Sequence, residues 1–271
     1  MSASNTIQIT VRGDPRIAPF IGVRERDLTG GADGRFIVEG KVPLSILLTR
    51  SRFTVDSLFL CETRLAPLAE LLERVPDDVP IYTAPQSLMD EIAGFPIHRG
   101  ILACARKGPK LNLQDLLSSP AQPARILVLN QLSNHDNVGA AFRNAAAFGV
   151  HGVLLDNQSC DPLYRKAIRV SSGASLWLPF YHGDSGKDHI EALKAEGYTI
   201  WAMTPRETAA PLQSQPIPDR LAIILGAEGP GLAEDLIAAA HAVRIPMSKG
   251  YDSINVATAG AIALAHVFSG S

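Results

Sequence analysis

The 271-residue chain is short of several things, and each shortage removes a class of protein. It has only three cysteines, Cys61, Cys104 and Cys160, far apart and without a C-x-x-C or Cys/His metal spacing. Neither a disulfide framework nor a metal site is indicated, and the thiols read as reduced, buried residues. No apolar run reaches the ~18–20 residues that a membrane helix needs. The longest, residues 259–268, is much shorter and is interrupted by His266. The opening Met-Ser-Ala-Ser-Asn-Thr lacks the basic start and apolar middle of a secretion signal, so a cytoplasmic protein is expected. Neither sign of charge dominates: the formal net charge of −2 excludes a protein that coats phosphate indiscriminately. Any contact with nucleic acid has to be local. The Arg-bearing spots Arg24/Arg26, Arg50/Arg52 and Arg106/Lys107/Lys110 offer such places, although each also reads as a solvated face.

What remains, with 46% hydrophobic and 19% charged residues, is a globular α/β chain long enough for one large or two smaller domains. Hydrophobic periodicity predicts strands at residues 36–38, 55–60, 80–83 and 100–105. Helices are predicted at residues 45–48 (opened by Pro43), 66–75 and 85–92. A short helical piece at residues 113–117 is followed by Ser-Ser-Pro-Ala-Gln-Pro, residues 118–123, which reads as a linker. Beyond it, near-continuous apolar strands are expected at residues 126–129, 152–155, 176–180, 199–203, 221–225 and 243–245. Helices at residues 138–148, 187–196, 232–240 and 255–268 separate or follow them. Such strands imply a parallel sheet buried on both faces. The expected division is therefore residues 1–106, a linker over 107–124, and a second domain over 125–271.

Ligands of parallel sheets bind beyond the carboxyl ends of the strands, so the loops after Leu129, Met203, Leu225 and Ile245 are where chemistry is expected. The first carries no G-x-G-x-x-G turn; a polar run from Asn134 to Asn137 leads instead into an Ala-rich helix bearing Gly139 and Arg143. Taken alone, this is equally an Asn/Asp helix cap followed by a solvated arginine. The second, Leu225-Gly-Ala-Glu-Gly-Pro-Gly231, lacks the Gly-Lys-Ser/Thr ending of a phosphate loop, and Glu228 is its one charged side chain. The third runs from Ile245-Pro-Met247 to Ser253-Ile-Asn-Val256 at the start of a small-residue helix, with Ser253 a candidate cap. His135, Asp136 and Ser253 do not make a hydrolase triad, because no G-x-S-x-G elbow exists.

Together the three segments resemble, in order and spacing, the signature motifs of the SpoU (TrmH-like) branch of the SPOUT RNA methyltransferases. These read N-x-G-x-x-x-R, L-G-x-E-G-x-G, and I-P-M followed by S-[LI]-N-V-x-x-A. Val170-Ser-Ser-Gly-Ala-Ser175 resembles the family's S-x-G-A stretch. Residues 34–106, with Phe36-Ile-Val-Glu-Gly40 and His98-Arg-Gly-Ile-Leu-Ala103, look like the L30e-like substrate-binding domain of many members. The resemblance implies an α/β fold with a deep trefoil knot in the C-terminal parallel sheet, a homodimer with active sites at its interface, no metal, and S-adenosylmethionine as cofactor. Its binding residues would be Met203, Thr204, Leu225, Gly226, Gly231, Ile245, Met247 and Ile254. The implied reaction is methylation of a ribose 2′-hydroxyl in structured RNA, with rRNA favoured over tRNA. Arg143 matches the family's catalytic arginine, Asn137 and Asn255 would position it and the ribose, Glu228 would orient the donors, and Ser253 would close the site. A guanidinium stays protonated, so Arg143 is expected to hold phosphate and the developing alkoxide rather than act as a base. Two positions depart from the pattern: Asn134-His-Asp-Asn137 replaces the family's D-P-x-N, and His266 stands where the family often has Glu. The alternatives are a non-catalytic RNA-binding or ribosome-assembly factor with a methyltransferase-like dimerisation domain, or a protein that takes a different nucleotide.

Overall fold

Strand segments rich in β-branched residues alternate with capped helices, and they assemble into two separate sheets. A computed structural model describes residues 6–23, 34–118 and 123–270. Arg24, Arg26 and the middle of the expected linker lie outside the described residues. The chain divides into one compact unit of Met1–Pro109 with Leu163–Trp177, and a second of Lys110–Pro162 with Leu178–Ser271.

In the first unit, β1 (Thr6–Gln8), β2 (Arg35–Glu39), β3 (Thr54–Cys61), β4 (Ile81–Ala84) and β5 (Ile101–Arg106) form a mixed sheet ordered β1-β4-β3-β5-β2. The helices α1 (Lys41–Thr49), α2 (Ala69–Leu72) and α3 (Gln86–Ala93) accompany it. Phe20, Phe59, Met89, Ile92 and Leu102 are fully buried in the core. β1 and the 3₁₀ turn Pro15–Phe20 have no sequence signal strong enough to anticipate; they are fixed by burial of Ile9, Ile17 and Phe20. The expected helix over residues 66–75 is replaced by 3₁₀ turns and the four-residue α2, and Pro76, which has no N–H, stops any continuation of the helix.

The second unit holds α4 (Leu113–Ser118), β6 (Ala124–Leu129), α5 (His135–Ala147), β7 (Gly152–Leu155), β8 (Phe180–His182), α7 (Gly186–Ala195), β9 (Thr199–Met203), β10 (Ala210–Pro211), β11 (Arg220–Leu225), α8 (Glu234–Ala238), β12 (His241–Arg244) and α9 (Val256–Ser269). The helix between α5 and α7, α6 (Arg165–Val170), belongs to the first unit. The seven strands are all parallel, in the order β10-β12-β9-β11-β6-β7-β8. β6, β7 and nearly all of β11 are buried, as an apolar parallel sheet requires. Side-chain caps open helices of this unit: Asn112 accepts from Gln114 N at the start of α4, Asn134 caps α5, Ser185 with Asp188 forms a reciprocal capping box on α7, and Asn255 caps α9. α9 lies so close to β11 that a Cβ on Gly260 would sit 2.7 Å from Leu225 Cδ1. Among the described residues no helix is long and apolar enough to cross a membrane.

Two expectations need correcting. Residues 125–271 are not one uninterrupted domain, since Leu163–Trp177 leaves the second unit for the first. For the same reason residues 176–180 are not a strand: the chain makes a 3₁₀ turn at Ala174–Leu176, and the strand begins only at Phe180. The apolar Leu176 and Trp177 serve the first unit instead, where Leu176 O accepts from Ser51 Oγ at 3.0 Å and the Arg50 guanidinium lies 3.4 Å from the centre of the Trp177 ring. The anchor of this excursion is Glu39 at the end of β2, whose side chain is 7% exposed. It accepts from Arg165 Nη1 and stands 3.9 Å from Arg169 Nη1. Cys104 and Cys61 are buried and Cys160 half-buried; burial pushes the Cys104 and Cys160 thiols up to about 12, so neither is a ready nucleophile. Glu39→Ala leaves two guanidinium groups without their carboxylate and is expected to destabilise the first unit by about 3 kcal/mol. The measurement is the urea midpoint of Trp177 fluorescence in a Trp201→Phe background; an unchanged midpoint would deny Glu39 this role.

Candidate active site

Because the sheet is parallel, the loops after β9, β11 and β12 all emerge at one end. They enclose a cavity of about 490 Å³, within the range of small-ligand sites. All the residues expected to hold a cofactor line it: Met203 and Thr204 from the first loop, Leu225, Gly226 and Gly231 from the second, and Ile245, Met247 and Ile254 from the third. Glu228, Ser253 and Asn255 line it as well.

The glycine-rich loop can take its shape only with glycine at Gly226. A Cβ there would collide with the backbone nitrogen of Leu232 and lie 2.5 Å from the carbonyl carbon of Gly231. The loop closes on itself through Gly231 N–H donating to Ala227 O at 3.0 Å, and Gly231 adopts φ +73°. This tight turn leaves Glu228 projecting at its tip, exposed.

Asn137 does not line the cavity, but it is the hub behind it. Buried in the first turn of α5, it donates from Nδ2 to Glu228 Oε1 and accepts at Oδ1 from Asn255 Nδ2 at 2.9 Å. Asn255 Oδ1 accepts in turn from Ala257 N at 2.9 Å and Thr258 N at 3.1 Å, capping α9. One carboxamide thus ties the start of α5, the glycine loop and the start of α9, three segments far apart in sequence. Ser253 is exposed at the rim.

Arg143 stands elsewhere. It is exposed on α5 and does not line the cavity of its own chain. Six helical residues carry it about a third of a turn away from the direction of Asn137. Asn137 is bonded to Glu228 and to Asn255, and Asn255 to Asn137 and the start of α9, rather than to the arginine they were expected to position.

Sequence reasoning missed Arg206. It lines the cavity from the loop after β9, with its Nη1 donating to Glu234 Oε2 at 2.8 Å and its Nη2 to Oε1. These bonds hold the Glu234 carboxyl below its ordinary range and raise the guanidinium. The available signal was position: Arg206 is the first charged residue beyond a strand end already marked as a ligand-binding place.

The cavity fits an adenosine-bearing cofactor. Leu225, Ile245, Met247 and Ile254 supply apolar walls for a flat base, and loop backbone supplies polar groups. A profile of the SpoU rRNA methylase family matches residues 124–265. An uncharacterized tRNA/rRNA methyltransferase of Mycobacterium tuberculosis is 37% identical over 258 residues, covering 92% of this chain and 87% of that protein. The 23S rRNA (guanosine-2′-O-)-methyltransferase RlmB of Escherichia coli K12 is 31% identical over 239 residues, covering 84% of this chain and 96% of that one. The fold matches an AdoMet-bound rRNA methyltransferase from Sinorhizobium meliloti with TM-score 0.80, at 18% identity and 98% coverage of both chains. The chain belongs to the SpoU rRNA methylase family and is an RNA methyltransferase of that type. S-adenosylmethionine is the methyl donor of such enzymes.

Gly226→Ala is expected to force the loop open, lowering stability by about 1–3 kcal/mol and weakening S-adenosylmethionine at least tenfold in calorimetry. An alanine variant that binds with unchanged affinity would mean that the tight turn is not needed.

Proposed function

We propose that the protein methylates a ribose 2′-hydroxyl of ribosomal RNA, with S-adenosylmethionine held in the cavity between the loops after β9, β11 and β12. The observation that carries this reading is the Asn137 hub, which fixes Glu228 and Asn255 at the cavity edge. The similarity to a 23S rRNA guanosine-2′-O-methyltransferase over most of both chains supports the ribose and the rRNA.

When bound, the cofactor supplies a methyl group on a sulfonium to a nucleophile approaching in line. A ribose hydroxyl is a weak nucleophile, so the chain must orient it and stabilise the negative charge that grows as its proton leaves. Asn255 and Ser253 face the cavity with polar groups suited to holding the ribose, and Glu228 keeps Asn137 oriented. Arg143 supplies the positive charge, binding the substrate phosphate and the developing alkoxide. Because it lies outside its own cavity, it completes the site of a second copy in a homodimer. Ile262 and Phe268, exposed on α9 at 39% and 59%, give that interface its apolar contribution. In this reading the chain after β12 threads the preceding loops as a trefoil knot, and the enzyme works on cytoplasmic RNA.

The first unit is the RNA reader, of L30e-like type. A cluster of guanidinium groups supports this. Arg165 and Arg169 gather on Glu39; Arg99 packs over Gly40, where a Cβ would lie 3.1 Å from its Cδ; and Arg64 packs against Gly100. Two of these cations share the Glu39 carboxylate, and Arg169, 42% exposed, can reach a phosphate backbone.

The test is transfer of labelled methyl from S-adenosylmethionine to ribosomal RNA, followed by alkaline hydrolysis. Label in alkali-resistant dinucleotides is expected, because a 2′-O-methyl blocks cleavage. Label on bases, or cofactor binding without transfer to any RNA, would overturn the reading and favour the assembly-factor alternative. Arg143→Lys should lower the turnover rate about 100-fold with cofactor affinity unchanged. Mixed Arg143→Ala and Asn137→Ala protomers should recover about a quarter of wild-type activity if arginine is supplied across the dimer, since half the dimers are mixed and each has one intact site. No recovery would confine Arg143 to its own chain.

A further inference from the structure

We propose that Arg206 selects the cofactor by its amino-acid end, taking the α-carboxylate of the methionine moiety of S-adenosylmethionine. The inference rests on the reading that this cofactor occupies the cavity, and it assigns a role to a residue that the signature motifs do not contain. Among the described residues that line the cavity, Arg206 is the one cationic side chain and Glu228 the one anionic side chain. They sit on different loops, Arg206 after β9 and Glu228 after β11. The cofactor is itself polarised, with one carboxylate against an ammonium and a sulfonium. Placed near Glu228, the carboxylate would meet a like charge; placed near Arg206, it meets the complementary one. The sulfonium, at the other end of the methionine chain, then lies toward Glu228, where Asn137 and Asn255 gather.

The guanidinium is prepared for this. Glu234 engages it through Nη1 and Nη2, using one N–H of each terminal nitrogen. Of the five N–H groups of an arginine, the Nε–H and one more on each terminal nitrogen remain. A side-on edge therefore stays open for a second, bidentate carboxylate while Glu234 fixes the plane of the fork. Glu234 is the positioning residue, and it sits exposed at the start of α8. Arg206 is 41% exposed, so its replacement does not leave a hole in the core.

The experiment is a set of calorimetric titrations of the full chain and of Arg206→Gln with three ligands. These are S-adenosylmethionine, its decarboxylated form, and methylthioadenosine, which lacks the amino-acid end entirely. The wild type is expected to bind S-adenosylmethionine at least about tenfold more tightly than the decarboxylated compound. In Arg206→Gln that preference falls to less than about twofold, through loss of S-adenosylmethionine affinity alone, while methylthioadenosine binds as before. A variant that weakens all three ligands equally would make Arg206 a structural residue and overturn the proposal. So would a preference that survives the substitution. Failure of the wild type to bind any of the three would instead count against the cofactor reading itself.

Discussion

The interaction on which the site depends is the pair of hydrogen bonds made by the buried carboxamide of Asn137. A buried amide must satisfy both its donor and its acceptor, because each one left unmet costs on the order of 1–3 kcal/mol. Here the donor reaches the glycine loop and the acceptor is met by the residue that caps α9. The partners lie 91 and 118 residues away, so the two bonds set the register of three distant segments against one another. The turn at Gly226 and the close approach of Gly260 to Leu225 let those segments come near enough for the bonds to form.

Charge is arranged in the same local way. A net charge of −2 gives the molecule no general attraction for RNA, and the structure gathers its cations instead. Arg165 and Arg169 of the first unit share the single carboxylate of Glu39, and one guanidinium and one carboxylate line the cavity of the second. A binder built from a few placed cations responds to salt less steeply than one that neutralises many phosphates.

Much of the fold was legible because it rests on local physics. The strands at residues 152–155 and 199–203 are set by apolar runs that a two-sided parallel sheet requires, and they match residue for residue. The polar run before α5 marked its start, although the helix begins at His135 on an Asn134 cap rather than at residue 138, and α9 is capped by Asn255 and not by the candidate Ser253. The cavity lining was legible because strand ends point to one place in a parallel sheet. The run at residues 176–180 misled because Leu176 and Trp177 are apolar for burial in the other unit, and periodicity does not say against what a residue packs. Arg206 was hidden for a related reason: a lone charge in a loop has no pattern of its own.

The sequence by itself determined which segments would be strands and helices in most of the second unit, and which polar residues stood at strand ends. These are properties of single residues and of their near neighbours, fixed by backbone sterics, capping and burial. Tertiary structure alone decided that Asn137 bonds to Glu228 and Asn255 while Arg143 faces away, that Leu163–Trp177 joins the first unit, and that Arg206 enters the cavity. Each depends on a contact between segments tens to more than a hundred residues apart, and such contacts are settled by how sheets, loops and helices close around one another.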